Sequence, residues 1–421
     1  NLYEREPRYQ KLEHEVLSQL RYDHMFKEEE GKPANQWAER IEKVQWKDAE
    51  AALECIGLYY VEPADFKAIT ERGLEQLLML AESETAQKSP ALTGLRNEDD
   101  RRDFIARVKE RLDQVRAAAT VDRSESVRHF RRVVQQINKE TVKLPEELLI
   151  SELMRGALEP LDDFTTMIWP QDTDEFDKHT RGDFIGVGIS IIKNKQEEIE
   201  VVTPLEDTPA FRHGVLPKDI ITKVDGKEIK QLSLNKVVDT ITGPKGTQVT
   251  LTIRRGEQEI EFPLTREKVK IQSVKGWERK PDGAWNFWKD QENGIAYLRL
   301  TNFQRNTVED LDNAMSELQA QGLKGLVLDL RGNPGGLLDS AWQVSSRFLN
   351  DGSPVVSTKG RNRSEDQVLE APGDGPYAGV PMVVLVDEAS ASASEIVSGA
   401  LRDDGRATVI GERTFGKFSV Q

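Results

Sequence analysis

Residues 381–402 read PMVVLVDEASASASEIVSGALR, which is a short apolar run, a serine-rich turn and an amphipathic stretch. The apolar run is typical of a strand buried on both faces, and the stretch at 392–402 has the apolar spacing of a helix. A strand that turns directly into a helix is the repeating unit of α/β folds. This segment therefore predicts a sheet covered by helices, with the serines at the strand end, where sites usually form.

The surrounding sequence repeats the pattern, with apolar strands alternating with helical stretches. We predict strands at 294–300, 325–330, 381–386 and 407–410, and helices at 307–321, 338–349 and 392–402. The loops that follow three of these strands are 331–336, 387–392 and 411–416. These three loops are the candidate site of the α/β core, which we assign to residues 268–421.

Two regions with different composition and different predicted secondary structure precede this core. Residues 1–165 are rich in Glu, Lys, Arg, Leu and Ala with helical apolar spacing, and the charged stretch 84–128 predicts a long exposed or mobile helix. Residues 182–267 predict a compact β-module with one short helix at 233–241, bounded by turn signals. Its predicted strands are 185–192, 199–203, 219–224, 248–253 and 259–264. The fold class is therefore multi-domain, α/β and α+β.

Composition excludes several function classes. The net charge of −15 disfavours nucleic-acid binding, and no apolar run reaches the ~18 residues of a membrane span. The single cysteine, Cys55, precludes intrachain disulfides and a thiolate metal cluster, and its apolar neighbours predict a small core residue. No metal-ligating pattern and no nucleotide-binding loop occurs, so we expect no metal and no cofactor. The chain begins with Asn1, so we expect that an N-terminal segment is removed or not shown.

The serine cluster supports two interpretations. Ser392 with Glu395 fits the S-x-x-E capping box, so a helix cap is one role for this serine. A serine there also lies beside unpaired amides and the positive end of the helix dipole, which favour a developing oxyanion. Lys417 follows between glycines and apolar groups, where burial would lower the pKa of a lysine and make it a usable base. An exposed loop lysine is the other interpretation. The five histidines all lie outside the α/β core, which disfavours a Ser-His-Asp triad.

Residues 328–336 read LDLRGNPGG, a strand that runs into a glycine loop. Such a loop presents successive backbone amides and can serve as an oxyanion hole or an anion nest. An ordinary strand-to-helix turn is the other interpretation of the same sequence.

Together these motifs resemble the carboxy-terminal processing proteases, the tail-specific serine proteases with a PDZ domain. The resemblance rests on VDEASASASEI at 386–396, GERTFGK at 411–417, LDLRGNPGG at 328–336 and RGDFIGVGI at 181–189. It extends to YYVEP at 59–63 and LDDF at 161–164. It implies a helical N-terminal region, a PDZ domain at 182–267 and a crotonase- or ClpP-like α/β protease core.

The resemblance also implies roles for individual residues. Ser392 would be the nucleophile, Lys417 the general base and Gln421 the residue that orients the lysine. The oxyanion hole would comprise the Ala393 amide and an amide of Gly335 or Gly336. The role of Asp403, on a polar position of the family pattern, is left open. The PDZ domain would bind an apolar substrate C-terminus, through these residues: Ile185, Gly186, Val187, Gly188, Ile189, Val237, Val238 and Ile241.

The chain departs from the family pattern in three places. Phe418 stands where a glycine usually follows the lysine, which could crowd the site. The helical stretch at 81–145 is unusual and suggests partner binding or homo-oligomerisation. The sequence stops at Gln421, where the family core continues, so we expect the core to be incomplete at its C-terminus.

The sequence is compatible with three hypotheses for the function of the protein. The first is a Ser/Lys endopeptidase that processes or degrades proteins recognised by their C-terminal residues, in the bacterial periplasm or cell envelope. The second is a catalytically inactive PDZ adaptor on a protease-like core. The third is a crotonase-like enzyme, which would share the glycine loop but gives no reason for Lys417 or for a PDZ module.

Overall fold

The computed structural model describes residues 7–26, 36–39, 41–205, 207–280, 284–363, 366–417 and 419. The chain divides into two compact units, Asn1–Asp174 and Glu175–Gln421. Among the described residues, no helix combines the length and the apolar character needed to cross a bilayer.

The first unit is helical. Its α-helices are α1 (Pro7–Phe26), α2 (Gln36–Glu39), α3 (Trp46–Tyr59), α4 (Phe66–Glu82), α5 (Glu84–Lys88), α6 (Thr93–Arg96), α7 (Glu98–Ala117), α8 (Arg123–Arg131), α9 (Asn138–Glu140) and α10 (Glu146–Leu158). A π-helical turn, Arg132–Ile137, joins α8 to α9. The helices share one core, in which α4 and α10 pack closely because Gly73 and Gly156 bring no side chain to the interface.

Two sequence predictions fail in this unit. The charged stretch 84–128 is not one long helix, because it contains the separate helices α5, α6 and α7 and the start of α8. Helix α7 is also not fully exposed, since it buries an apolar face formed by Phe104, Val108, Leu112 and Val115. Cys55 is exposed, not a core residue. On α3 the buried positions are Ala49, Leu53 and Ile56, and the 100° turn per residue carries Cys55 away from that face.

Helix α11 (Thr173–Arg181) spans the boundary between the two units, and the β-module follows it in the second unit. Its elements are β1 (Asp183–Gly186), β2 (Ile189–Lys193), β3 (Ile199–Pro204), α12 (Pro209–Arg212), β4 (Ile220–Val224), β5 (Lys227–Glu228), α13 (Leu234–Ile241), β6 (Gln248–Arg255), β7 (Gln258–Thr265) and β8 (Glu267–Lys270). The main sheet is antiparallel in the order β2-β3-β4-β6-β7, with β5 on β4. Strands β1 and β8 pair separately as a two-stranded sheet.

The single strand predicted at 185–192 is therefore wrong: it is interrupted at Val187 and Gly188. Gly188 has a φ of +77°, and a Cβ there would lie 2.2 Å from the Cβ of Thr208. This close approach to a distant segment breaks the strand, and neighbouring residues do not signal it.

The α/β core follows. Its elements are β9 (Val274–Lys275), β10 (Glu278–Arg279), β11 (Trp285–Asn286), β12 (Trp288–Asp290), β13 (Ile295–Leu300), α14 (Thr307–Ala320), β14 (Gly325–Asp329), α15 (Leu338–Ser346), β15 (Pro354–Thr358), β16 (Gln367–Glu370), β17 (Met382–Val386), α16 (Ala393–Asp403) and β18 (Thr408–Gly411). The sheet order is β12-β13-β14-β17-β18 with β9 on β13, and β13, β14, β17 and β18 are parallel. Apolar residues of these strands and of α14, α15 and α16 share one core, as predicted.

We predict that Gly156→Ala destabilises the helical unit. A Cβ at this position would lie 2.4 Å from the Arg72 carbonyl oxygen and 2.7 Å from the Gln76 Cβ, so α4 and α10 must separate. Overpacking of this kind costs about 1–3 kcal/mol, which exceeds the gain of up to about 1 kcal/mol from helix propensity. Urea unfolding followed by pulsed hydrogen exchange and mass spectrometry reports each unit separately.

The control for this substitution is Gly399→Ala on α16, where an added Cβ has no atom within 4 Å. We expect no loss of stability from that variant. A Gly156→Ala protein as stable as the parent would contradict the proposed close packing of α4 and α10.

Candidate active site

The sheet order brings two loops together. Strands β14 and β17 are parallel neighbours, so the glycine loop 331–336 and the serine loop 387–392 leave the same edge of the sheet. They are joined by hydrogen bonds: the Gly332 amide donates to Asp387 Oδ1 at 2.9 Å, and the Ala391 amide donates to the Asn333 carbonyl at 3.1 Å.

The three serines of the cluster have different environments. Ser390 is fully buried and its hydroxyl donates to the Leu330 carbonyl at 2.8 Å. Ser394 is also fully buried and donates to the Asn333 carbonyl at 2.9 Å. Ser392 lies between them, half-buried, immediately before α16. The flanking serines fasten the serine loop to the glycine loop and leave Ser392 as the one that reaches the surface.

The Ser392 backbone is strained, with φ 53° and ψ −112°. A left-handed φ is uncommon for a residue other than glycine and persists only where surrounding contacts enforce it. Its amide donates to Glu395 Oε2 at 2.8 Å, which satisfies that N–H in the strained conformation.

The glycine loop approaches Ser392 at Gly335. Gly335 has a φ of +102°, and a Cβ there would lie 2.9 Å from both the Ser392 Cβ and the Ala393 nitrogen. Only glycine is compatible with this conformation and this approach. The Gly335 amide donates to Asn333 Oδ1 at 2.9 Å, while the buried Asn333 side chain donates to the Leu300 carbonyl.

Gly336 is positioned by backbone pairing with Phe303, whereas Gly335 is bound by the Asn333 side chain. Its neighbours form a short parallel bridge in which the Phe303 amide donates to the Gly335 carbonyl and the Leu337 amide donates to the Phe303 carbonyl. In the part of the chain that the structure describes, neither the Gly336 amide nor the Ala393 amide has a hydrogen-bond acceptor. The amides of Gly335 and Gly336 are the two candidate oxyanion-hole donors of the glycine loop. The Gly335 amide already donates its hydrogen bond to Asn333 Oδ1.

Glu395 joins the serine loop to the loop that carries Lys417. Its Oε1 accepts hydrogen bonds from Thr414 Oγ1 at 2.8 Å and from the Gly416 amide at 2.7 Å. Its Oε2 accepts from the Lys417 amide at 3.0 Å as well as from Ser392. The backbones of Ser392 and Lys417 are thus bound to the same carboxylate oxygen.

Sequence reasoning took Glu395 only as a capping-box residue and did not single out Thr414 or Asn333. The S-x-x-E pattern was the available signal for Glu395. Phe418 and Gln421 lie outside the described residues. The structure does not bring Asp403 to the site: it ends α16, is exposed and pairs with Arg402.

A buried acid supports the start of the glycine loop. Asp329 accepts from Arg331 and, at 2.5 Å, from the Tyr297 hydroxyl. Burial alone would raise the pKa of Asp329, but these hydrogen bonds outweigh it and lower that pKa. Burial and the Asp329 carboxylate raise the pKa of Tyr297 to about 12.

The β-module residues fall into three groups. Ile185 and Gly186 belong to β1, which pairs with β8, so they are not part of a strand beside α13. Val237 and Ile241 belong to the module core and are 0% and 4% exposed, so their assignment to a peptide pocket stays a prediction. Val187 is buried, Gly188 is at the strand break, and Ile189 on β2 and Val238 on α13 are half-buried.

The second edge of β2 is available for pairing. This strand ends the main sheet of the β-module and pairs only with β3 among the described strands. An unpaired strand edge of this kind can accept an extended peptide as an additional strand. Across the described part of the chain, no group of three or more His, Cys, Asp or Glu side chains is placed to hold a metal.

We predict that Glu395→Gln loosens the Lys417 loop. The substitution replaces one acceptor oxygen with an NH₂ group, so the amides that it bound lose their partners and exchange hydrogen faster. Hydrogen exchange measured by mass spectrometry should show faster exchange across 390–396 and 412–417. Glu412→Gln, a change at an exposed residue of the same loop, should leave the exchange unchanged. Equal exchange in both variants would contradict the linking role of Glu395.

Comparison with known proteins gives a consistent assignment. Residues 294–421 match the model of peptidase family S41, and residues 184–265 match the PDZ domain. A carboxy-terminal-processing protease of Bartonella bacilliformis is 38% identical over 299 residues, which cover 69% of this chain and 65% of that protein. A probable CtpA-like serine protease of Staphylococcus epidermidis is 36% identical over 296 residues, which cover 69% of this chain and 56% of that protein.

The chain thus spans between about half and two thirds of the length of these relatives. Among solved structures, the photosystem II D1 C-terminal processing protease matches with 25% identity and a TM-score of 0.36, covering 88% of this chain and 82% of that chain. Because that TM-score is low, the assignment rests on the sequence matches. The chain therefore carries a region that matches peptidase family S41 and a region that matches the PDZ domain, and it is similar to carboxy-terminal processing proteases over about two thirds of its length.

Proposed function

We propose that the protein is a serine endopeptidase that uses Ser392 and Lys417 to process or degrade proteins recognised by their C-terminal residues. The observation that carries this proposal is the Glu395 carboxylate, which binds the backbones of both residues through one oxygen. A serine and a lysine held in this way can form a nucleophile and its base without histidine.

In the proposed reaction, Ser392 Oγ attacks the scissile carbonyl carbon while Lys417 Nζ takes the hydroxyl proton. The tetrahedral intermediate collapses as that proton passes to the leaving amine, which yields an acyl-enzyme and the C-terminal fragment. Water, deprotonated by Lys417, then releases the acyl group and regenerates Ser392. Gln421 would orient the lysine. The strained backbone and half-buried position of Ser392 support its role over Ser390 and Ser394.

The developing oxyanion requires donors aimed at the intermediate. The Ala393 amide is the first helical position of α16, where backbone N–H groups lack intrahelical partners. We assign the second donor to Gly336, since the Gly335 amide already donates to Asn333. Two such amides stabilise a tetrahedral oxyanion strongly in a water-poor site.

The PDZ domain would select the substrate. We propose that an apolar C-terminus adds to β2 as a strand and that Ile189 and Val238 contact its last side chain, with the 187–188 turn facing the terminal carboxylate. We also propose the bacterial periplasm or cell envelope as the compartment, on the basis of the resemblance to carboxy-terminal processing proteases. Formation of a homo-oligomer through the helical unit also stays a proposal, and it is based only on the unusual helical stretch at 81–145.

We expect Ser392→Ala to lower kcat/KM for peptide cleavage by about 10³-fold or more, and Lys417→Ala by about 10²- to 10⁴-fold. Both variants should keep the parental melting temperature. Ser398→Ala on the same helix and Lys359→Ala at an exposed position serve as matched controls with near-parental rates. Undiminished cleavage by either active-site variant would exclude the dyad. A well-folded parent that binds apolar C-termini and cleaves none of them would support the inactive-adaptor alternative.

We expect an unfolded substrate with an apolar C-terminus to be cleaved about tenfold faster than the same substrate ending in charged residues, since one buried apolar side chain contributes about 1.5–3 kcal/mol. Val238→Lys should abolish this preference. Asp239→Lys, which adds the same side chain at an exposed position of α13, should preserve it. Equal cleavage of both substrates by the parent would remove C-terminal recognition from the proposal.

A further inference from the structure

Two cations lie side by side near the glycine loop. Lys275 on β9 and Arg299 on β13 are directly opposite each other in an antiparallel pair. Residues in this relation have neighbouring side chains on one face of the sheet, and like charges there repel. Arg299 is exposed and Lys275 is half-buried, so the repulsion is only partly screened by water.

The described part of the chain supplies no carboxylate to this pair. Neither Lys275 nor Arg299 forms an ion pair with a described acid. Asp329 is the register partner of Arg299 on β14, but its oxygens accept from Arg331 and Tyr297. Burial and the charge of Arg299 lower the pKa of Lys275, which is the direction expected where no anion compensates the ammonium.

The pair adjoins the proposed reaction centre. Arg299 Nη2 donates to the Arg331 carbonyl at 3.1 Å, and a Cβ at Gly332 would lie 3.3 Å from that nitrogen. Gly332 begins the loop that reaches Ser392 at Gly335, and three residues of chain span at most about 10 Å. An extended peptide bound across Ser392 therefore reaches the cation pair within a few residues of the scissile bond.

We propose that Lys275 and Arg299 form a binding site for a carboxylate of the peptide substrate, which would make the protease selective for an acidic group near the cleaved bond. The inference rests on the proposed function in taking the substrate peptide as the ligand. A guanidinium provides two parallel donors to a carboxylate and an ammonium adds a point charge, so the pair matches this ligand. The bound anion would relieve the repulsion between the two cations.

The test measures binding, so it does not depend on cleavage. Fluorescent peptides that share one apolar C-terminus carry Glu or Gln at each internal position in turn. Fluorescence anisotropy gives Kd for the full chain carrying Ser392→Ala. We expect the peptide with Glu at one of these positions to bind about tenfold more tightly than the peptide with Gln there.

Adding Lys275→Gln should abolish that preference, and Lys275→Glu should make the peptide prefer Lys at the same position. Lys324→Gln, an exposed lysine beside the opposite end of β14, should keep the parental preference. All peptides end in the same free carboxylate, so the contribution of the PDZ domain cancels in each Glu and Gln comparison.

Equal Kd values for all charged and neutral pairs, or a preference that survives Lys275→Gln, would overturn the carboxylate site, and so would failure to bind any peptide. Cleavage of the neutral peptide by the parent is assayed in parallel. Its absence would count against the proposed endopeptidase, whereas cleavage without charge preference would count only against the carboxylate site.

Discussion

The Glu395 carboxylate is the contact on which the candidate site depends. It accepts four hydrogen bonds, two from the loop amides of Gly416 and Lys417, one from Thr414 and one from the Ser392 amide. Hydrogen bonds to a charged acceptor are stronger than neutral ones, so a single side chain can fix both loops. The bond from the Phe415 amide to the Ser390 carbonyl also attaches the loop of Lys417 to the serine loop.

The fold supplies the frame for this contact. Parallel pairing of β14, β17 and β18 places the ends of three strands at one edge, and each strand leads into a loop of the site. The Asn333 carbonyl accepts from the Ala391 amide and from the buried Ser394 hydroxyl, and the buried Ser390 hydroxyl donates to the Leu330 carbonyl. These contacts join the first two loops. The strained conformation of Ser392 is thus enforced by neighbours that are themselves buried, which is the condition under which strain persists in a native site.

Much of this architecture follows from the sequence. The four parallel strands β13, β14, β17 and β18 and the helices α14, α15 and α16 agree with the predicted ones to within a few residues, because continuous apolar strands and amphipathic helices have distinct local signatures. The shorter strands of the core, β9 to β12, β15 and β16, were not predicted. Contacts between distant segments were not predictable. The break in the 185–192 strand comes from Thr208, and the loss of the Gly335 amide as a donor comes from a side-chain turn at Asn333. The core position predicted for Cys55 was wrong because its apolar neighbours in sequence do not show which helix face meets the core.

The central claim is that Ser392 is made nucleophilic by Lys417. Its most direct test is labelling of the full chain with a fluorophosphonate, followed by peptide mapping in a mass spectrometer. The account predicts one phosphonyl group, on Ser392, and labelling that is slower by about 10²-fold or more in Lys417→Met. Label on Ser390 or Ser394, or labelling of Ser392 at an unchanged rate without the lysine, would contradict it.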